Sequence, residues 1–223
     1  MLAGFLYVLL SLSHERANDD AAGKAIAVWT TAVGSERARK LSQTADRDAK
    51  IMRLVRLDEV ARQYLWVVDD PRLSSLQREK VMATVGPLLL EVDSANTAEL
   101  QALLPPDGWF RNSRDGNVIT HGAWLIVQHT PDRAFRNRIL PLLKERVLVG
   151  DIDPRDYALT YDRVQILEGR KQRYGSQARC NSLGYLDIEN VEDVDRVNQL
   201  RAEIGWAQTL EETKGDLGIG KPC

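Results

Sequence analysis

The chain has 223 residues, of which 30 are basic and 32 are acidic, so its formal charge is only -2. This balance leaves no overall field that would attract nucleic acid or an anionic membrane surface, and we expect neither as a partner. The length suits one sizeable core, and a charged fraction of 28% is that of an ordinary soluble protein.

The N-terminal residues 1–13 are apolar and carry no charged side chain. A stretch of this length is typical of a signal-peptide core and is too short to span a bilayer. We therefore predict a signal peptide or an N-terminal helix over residues 1–22, then a single helical domain over 35–223. The first alternative predicts a periplasmic or secreted protein, the second a cytoplasmic one. Cys180 and Cys223 would form a disulfide if the protein is exported.

The first long helix is predicted from about residue 35 to Val68. Apolar side chains recur there at the three- and four-residue intervals of one helix face, and Pro71 ends the pattern. Within this helix Asp58 and Arg62 are four residues apart, so they can form an ion pair.

A second helix is predicted from Ser74, which has the position of an N-cap, to about Leu90. Pro87 removes a backbone donor, so a kink is expected at this point. Asn96 and Glu99 then have the spacing of a capping box, which predicts that a new short helix begins at Asn96.

Further helices are indicated by caps, prolines and glycines, whereas Trp109 falls in a loop between two turn-forming segments. These helices are predicted over residues 120–129, from Asp132 to about 147, from Asp153 to about 168, and over 193–204. Beyond residue 172 the chain is otherwise loop-like, with one short strand at 184–188. The predicted fold is therefore all-α, an irregular bundle of short helices with a loop-rich C-terminal part.

The helix at 120–129 carries the most informative polar residues. His121, Trp124 and Gln128 lie within an arc of about 100° on one face, and His129 lies in the last turn. The helix dipole stabilises a charged histidine there, so His129 could act as an acid, a base or a phosphate ligand, or simply bind the last carbonyls. Gln128 would be either a core tether or a substrate-binding amide. The two histidines are about 12 Å apart along the helix, and we predict no metal and no cofactor.

A second group of polar residues follows in the chain. The planar guanidinium of Arg163 could hold a carboxylate or phosphate, or it could form an interhelical ion pair. Asp162 projects to a different side of the same helix and needs its own partner. Gln172, Tyr174 and Gln177 lie in a polar loop directly after that helix, where loops often carry binding groups.

These elements together resemble a bacterial family known as domain of unknown function 6624. The resemblance extends from about residue 50 to 205 and implies a shared site without naming its chemistry. The matching elements are Asp58 with Arg62, Asp93 with Asn96, Gly108 with Trp109, Trp124 to His129, Asp162 to Val164, and Gln172 to Gln177.

Two functional interpretations follow. The protein is either a hydrolase or transferase acting on a small polar molecule or peptide, or a non-catalytic exported binding or immunity-type protein with a protein partner. In the first interpretation His129, Asp162 and Arg163 are the candidate catalytic residues. The candidate substrate-binding residues are Asp58, Arg62, Trp109, His121, Trp124, Gln128, Gln172, Tyr174 and Gln177.

Overall fold

The computed structural model describes residues 21–223, and this part of the protein is mainly α-helical, as predicted. Its only sheet within these residues has two short antiparallel strands, β1 (Arg179–Cys180) and β2 (Leu186–Asp187). Arg179 is paired with Asp187, and Cys180 with Leu186. No helix in the described residues is both long and apolar enough to cross a membrane. The signal-peptide prediction for residues 1–22 lies almost wholly outside the described residues.

The chain divides into two compact units, one up to Glu99 and the other from Leu100. The prediction of one domain over residues 35–223 stays a prediction, and each unit is described separately. The helices of the first unit are α1 (21–37), α2 (Arg47–Gln63), a 3-10 helix (Tyr64–Val67) and α3 (Ser75–Leu103), whose last four residues belong to the second unit.

The first unit has its own apolar core. Trp29 on α1 is 2% exposed, and its indole Nε1 donates a hydrogen bond to the carbonyl of Ala61 on α2 at 2.8 Å. The predicted start of α2 near residue 35 is wrong. The helix begins at Arg47 because the carboxylate of Asp46 accepts a hydrogen bond from the backbone N–H of Ala49 and caps it there.

Helix α3 also corrects a prediction. It begins where Ser74 and Gln77 form reciprocal capping hydrogen bonds, but it continues without interruption through Pro87 and Asn96. Asn96 caps nothing, since it is 1% exposed and its amide donates to the carbonyl of Leu54 on α2 at 3.2 Å. Burial of this helix face against α2 therefore outweighs the two local stop signals.

The second unit contains the remaining helices and the sheet. Its helices are α4 (Asn112–Asp115), α5 (Asn117–His129), α6 (Arg133–Leu148), α7 (Pro154–Leu167), α8 (Val197–Glu203) and α9 (Leu210–Leu217). The short helix α4 replaces a predicted turn, and α9 was not predicted.

The starts of α6 and α7 confirm the predicted caps. The carboxylate of Asp132 accepts from the backbone N–H of Phe135 at 2.9 Å, and that of Asp153 accepts from Arg155 at 2.8 Å. Pro154 occupies the first turn of α7, where a missing N–H costs nothing. Helices α5, α6 and α7 pack against one another, and this packing positions the candidate site.

Candidate functional site

The candidate site is built on a row of polar contacts between α5 and α7, which we name the polar seam. Residue numbers rise together on both helices, so the two helices run side by side in the same direction. The contacts are His121 with Asp156, Trp124 with Thr160, and Gln128 with Arg163. The three contacts extend over about two turns of each helix. All six side chains therefore lie on the faces that α5 and α7 turn toward each other.

The first contact of the seam is a histidine–carboxylate pair. Nδ1 of His121 lies 3.0 Å from Oδ1 of Asp156, and the imidazole stacks on the indole of Trp124 with 4.9 Å between ring centroids. The His121 side chain is 52% exposed, whereas that of Asp156 is 2% exposed. This arrangement fixes the ring, and in its neutral form it makes Nδ1 the donor and Nε2 the acceptor.

The pKa values of this pair are shifted by the burial of Asp156 and by the hydrogen bond between the two side chains. Burial raises the pKa of Asp156 to about 6, although the hydrogen bond from His121 opposes this rise. The hydrogen bond to Asp156 raises the pKa of His121. The charge of Asp153 raises the pKa of both groups, and the charge of Arg155 lowers both. Both pKa values are therefore raised, so the pair binds protons at a higher pH than the two groups would separately in water.

The middle contact of the seam is buried. The indole Nε1 of Trp124 donates to Oγ1 of Thr160 at 2.9 Å, and this hydroxyl donates to the backbone carbonyl of Asp156 at 2.8 Å. Trp124 thus supports the imidazole of His121 from below while being fixed to α7 itself. The indole of Trp124 cannot rotate without breaking this buried hydrogen bond.

The last contact of the seam orients an arginine. With its carboxamide oxygen facing α7, Gln128 accepts hydrogen bonds from both Nε and Nη2 of Arg163, each at 3.2 Å. Gln128 is 5% exposed and Arg163 is half-buried. The amide of Gln128 therefore fixes one edge of the Arg163 guanidinium.

Arg163 lies at the wall of a cavity with a volume of about 620 Å³. Four cationic side chains line this cavity, namely Arg163, Arg170, Lys171 and Arg179, against one acidic residue, Glu189. Gln172 and Gln177 also line it. Of the residues predicted from sequence, Arg163, Gln172 and Gln177 are therefore brought to one hollow.

The loop of residues 172–177 owes its shape to Asp162. This carboxylate is fully buried and accepts hydrogen bonds from the backbone N–H groups of Arg173, Tyr174 and Ser176. Burial raises the pKa of Asp162, whereas the three N–H groups oppose that rise. Its oxygen atoms are occupied by backbone, so Asp162 shapes the wall of the cavity.

The other side chains of this loop also bond to backbone. The amide of Gln172 donates to the carbonyls of Gln177 and Glu189, both at 2.9 Å, and accepts from the backbone N–H of Gln177 at 2.8 Å. Tyr174 is buried, with its ring edge-on to that of Tyr161 at 5.5 Å. Gln177 reaches the carbonyl of Leu159 on α7 at 3.3 Å.

Several predicted residues lie elsewhere. Asp58 and Arg62 belong to the first unit, where the guanidinium of Arg62 bridges the carboxylates of Asp58 (2.7 Å) and Asp93 (3.0 Å). Trp109 is fully buried in the second unit, with its ring edge-on to Phe110. His129 is half-buried at the end of α5 and does not line the 620 Å³ cavity.

Sequence reasoning missed Asp156 and Thr160. Their signal was present but not used, because Asp156, Thr160 and Arg163 repeat on α7 the two-turn spacing of His121, Trp124 and Gln128 on α5. It also missed Arg201, which is fully buried and donates to the carbonyls of Tyr174 and Gly175 at 2.8 and 3.0 Å.

The fold and the site define a mainly helical protein with an arginine-lined cavity beside a polar seam. The chain belongs to DUF6624, a family of unknown function, whose model matches residues 80–216. This range includes all of the polar seam and the cavity. No match was found to a curated protein or to a solved structure.

Proposed function

We propose that the second unit of this protein binds a small anionic molecule, with a carboxylate or phosphate group held by Arg163. The observation that carries this proposal is the hydrogen bonding of Gln128 to one edge of the guanidinium at the wall of a 620 Å³ cavity. An arginine fixed in this way has already lost much of its rotational freedom, so less entropy is lost when a ligand binds.

The charges around the cavity support an anionic ligand. Glu189 is the one acidic lining residue, and it is bonded to Arg179 at 3.0 Å. Lys171 and Arg170 add positive charge near Arg163, although Arg170 also pairs with Glu168. The volume is within the range of cavities that hold small ligands.

The proposal is tested by titrating the purified chain with acetate, phosphate and citrate in isothermal titration calorimetry at low ionic strength. Arg163→Gln should weaken binding by about ten-fold or more, because a charge-assisted pair is lost. Arg155→Gln is the matched control, since it removes an exposed charge from the same helix outside the cavity. Equal affinities for wild type and Arg163→Gln would contradict the proposal.

A second candidate function is acid–base catalysis, and the His121–Asp156 pair favours it. In this proposal Asp156 orients the ring and His121 exchanges a proton with a substrate, the role that the sequence suggested for His129. A hydrolase or transferase acting on a small polar molecule would use such a group. The test is a panel of chromogenic esters, amides and phosphoesters, in which His121→Gln should abolish any turnover that wild type shows. Turnover that survives this substitution would exclude the role.

We also propose that the protein is exported to an oxidising compartment, such as the periplasm. The disulfide between Cys180 and Cys223 supports this proposal, because such bonds persist in oxidising surroundings. Cell fractionation followed by thiol alkylation without reductant tests it. Recovery of the chain in the cytosol with two alkylated cysteines would contradict it.

A further inference from the structure

Arg136 on α6 is an unusual arginine. It is 5% exposed, and within residues 21–223 no carboxylate forms an ion pair with it. Its Nη2 donates to the backbone carbonyl of Thr130, while its buried Nε has no hydrogen-bond partner. Burying a cation without an ionic partner costs free energy. We therefore expect this guanidinium to bind an anionic ligand.

A second cavity, of about 400 Å³, opens beside Arg136 between α6 and α7. Arg133 and Asn137 line it from α6 together with Arg136, and Leu167 and Glu168 line it from α7. Glu168 is the one acidic lining residue, and it is already paired with Arg170. Nη2 of Arg133 donates to the backbone carbonyl of Leu167, and Nδ2 of Asn137 donates to Glu168 at 3.5 Å. The remaining guanidinium and amide N–H groups are the donors that a ligand would meet.

Like charges surround Arg136. Burial, together with the charges of Arg163 and Arg133, lowers its pKa to about 10, and the charge of Asp132 opposes this change. The carboxylate of Asp132 is engaged at the N-cap of α6, where it accepts from Phe135. Arg136 therefore remains protonated at neutral pH and repels its neighbours, and a bound anion would relieve that repulsion.

We infer that Arg136, with Arg133 and Asn137, forms a second anion subsite, so that the ligand of this protein carries two anionic groups. Leu167 lines both cavities, which makes them neighbours along the last turns of α7. This inference rests on the proposed function, since one group occupies the cavity at Arg163 and the other reaches Arg136. The ligand class is a dicarboxylate or a diphosphate, which share paired, negatively charged oxygen groups.

Calorimetric titration of the full, oxidised chain tests this inference. The probes are malonate, succinate, glutarate and adipate in one arm and pyrophosphate in the other, with acetate and phosphate as the matched single-group anions. At least one two-group anion should bind wild type about ten-fold more tightly than its single-group counterpart, the gain expected from one further charge-assisted contact. The arm in which this occurs separates a dicarboxylate from a diphosphate.

The variants assign the two subsites. Arg136→Gln should remove the advantage of the two-group anion and leave the affinity for acetate or phosphate within a factor of about two. Arg133→Gln, an exposed substitution in the same cavity, should act in the same direction and decides the matter if Arg136→Gln fails to fold. Lys144→Gln, which removes an exposed charge from α6 outside the cavity, should change neither affinity.

Two outcomes overturn the inference in different ways. If the two-group anions bind Arg136→Gln and Arg133→Gln as tightly as wild type, the second subsite is wrong while the cavity at Arg163 stands. If wild type binds none of the anions, the proposed function fails and the inference fails with it.

Discussion

The carboxylate of Asp162 on α7 accepts a hydrogen bond from the backbone N–H of Ser176 at 2.9 Å, fourteen residues further along the chain. The same carboxylate accepts from the N–H groups of Arg173 and Tyr174. One buried side chain, predicted from sequence as a candidate catalytic residue, therefore organises the loop that forms a wall of the cavity.

The first prediction follows from this relationship. Asp162→Asn should lower the free energy of unfolding by about 2–4 kcal/mol, because the amide NH₂ faces backbone donors and leaves them unsatisfied. Urea denaturation followed by circular dichroism measures the loss. Asp195→Asn, an exposed aspartate, is the control and should be neutral. If Asp162→Asn were as stable as wild type, the loop would have to be held by other contacts.

The sequence predicted the central helices well, because their signals are local. Asp132, Asp153 and Pro154 each act on the backbone of their own helix end, so no knowledge of the rest of the protein is needed. The signals at Pro87 and Asn96 were equally clear but were overridden. Burial of α3 against its own unit decided that helix, and burial of this kind is not visible in a local pattern.

The candidate site was predictable only on one side. Helical periodicity placed His121, Trp124 and Gln128 on a common face, and the structure confirms this placement. Their partners Asp156 and Thr160 could not be assigned, because the assignment requires knowing that α5 and α7 lie side by side in parallel. The matching two-turn spacing on α7 becomes a pairing signal only once this arrangement of the helices is known.

The second prediction concerns pH. Because the pKa of His121 is raised in the folded protein, the protonated imidazole contributes its stability in full below the unfolded value of about 6.5. This contribution is lost as pH rises through the raised pKa. The free energy of unfolding should therefore fall more steeply as pH rises above about 6.5 in wild type than in Asp156→Asn.

Nuclear magnetic resonance titration of the His121 ring gives the direct measurement. The pKa of His121 should be lower in Asp156→Asn than in wild type, because the carboxylate that raises it is gone. Asp195→Asn, which removes an exposed carboxylate, is the control and should leave the pKa of His121 unchanged. An unchanged His121 pKa would show that the pair contributes nothing to proton binding.

The third prediction concerns the C-terminal tail. The disulfide joins cysteines 43 positions apart and fixes a segment whose backbone also bonds to β2, through Leu186 with Lys221 and Gly220. Replacing both Cys180 and Cys223 by serine should lower the free energy of unfolding by up to about 4 kcal/mol, because the unfolded chain gains conformational entropy once this loop is no longer closed. Denaturation with and without reductant measures this, and reductant should have no effect on the double variant. A wild-type protein that is equally stable with and without reductant would contradict it.

The fourth prediction concerns Arg201, which links the cavity loop to α9. Its guanidinium donates to the carbonyls of Tyr174 and Gly175 and to Oγ1 of Thr213, and it lies 3.9 Å from the centre of the Trp206 ring. Arg201→Lys keeps the charge but cannot reproduce this planar set of donors, so it should cost about 2–3 kcal/mol of unfolding free energy.

Arg196→Lys provides the control for this change, since Arg196 is exposed immediately before α8. Anion affinity should fall in Arg201→Lys as well, because Arg201 holds the loop that carries Gln177 to the cavity. Calorimetry on the folded variant measures this effect separately from stability. A variant that loses stability but binds as wild type would show that the loop keeps its shape without Arg201, and that Asp162 alone is sufficient to position the cavity wall.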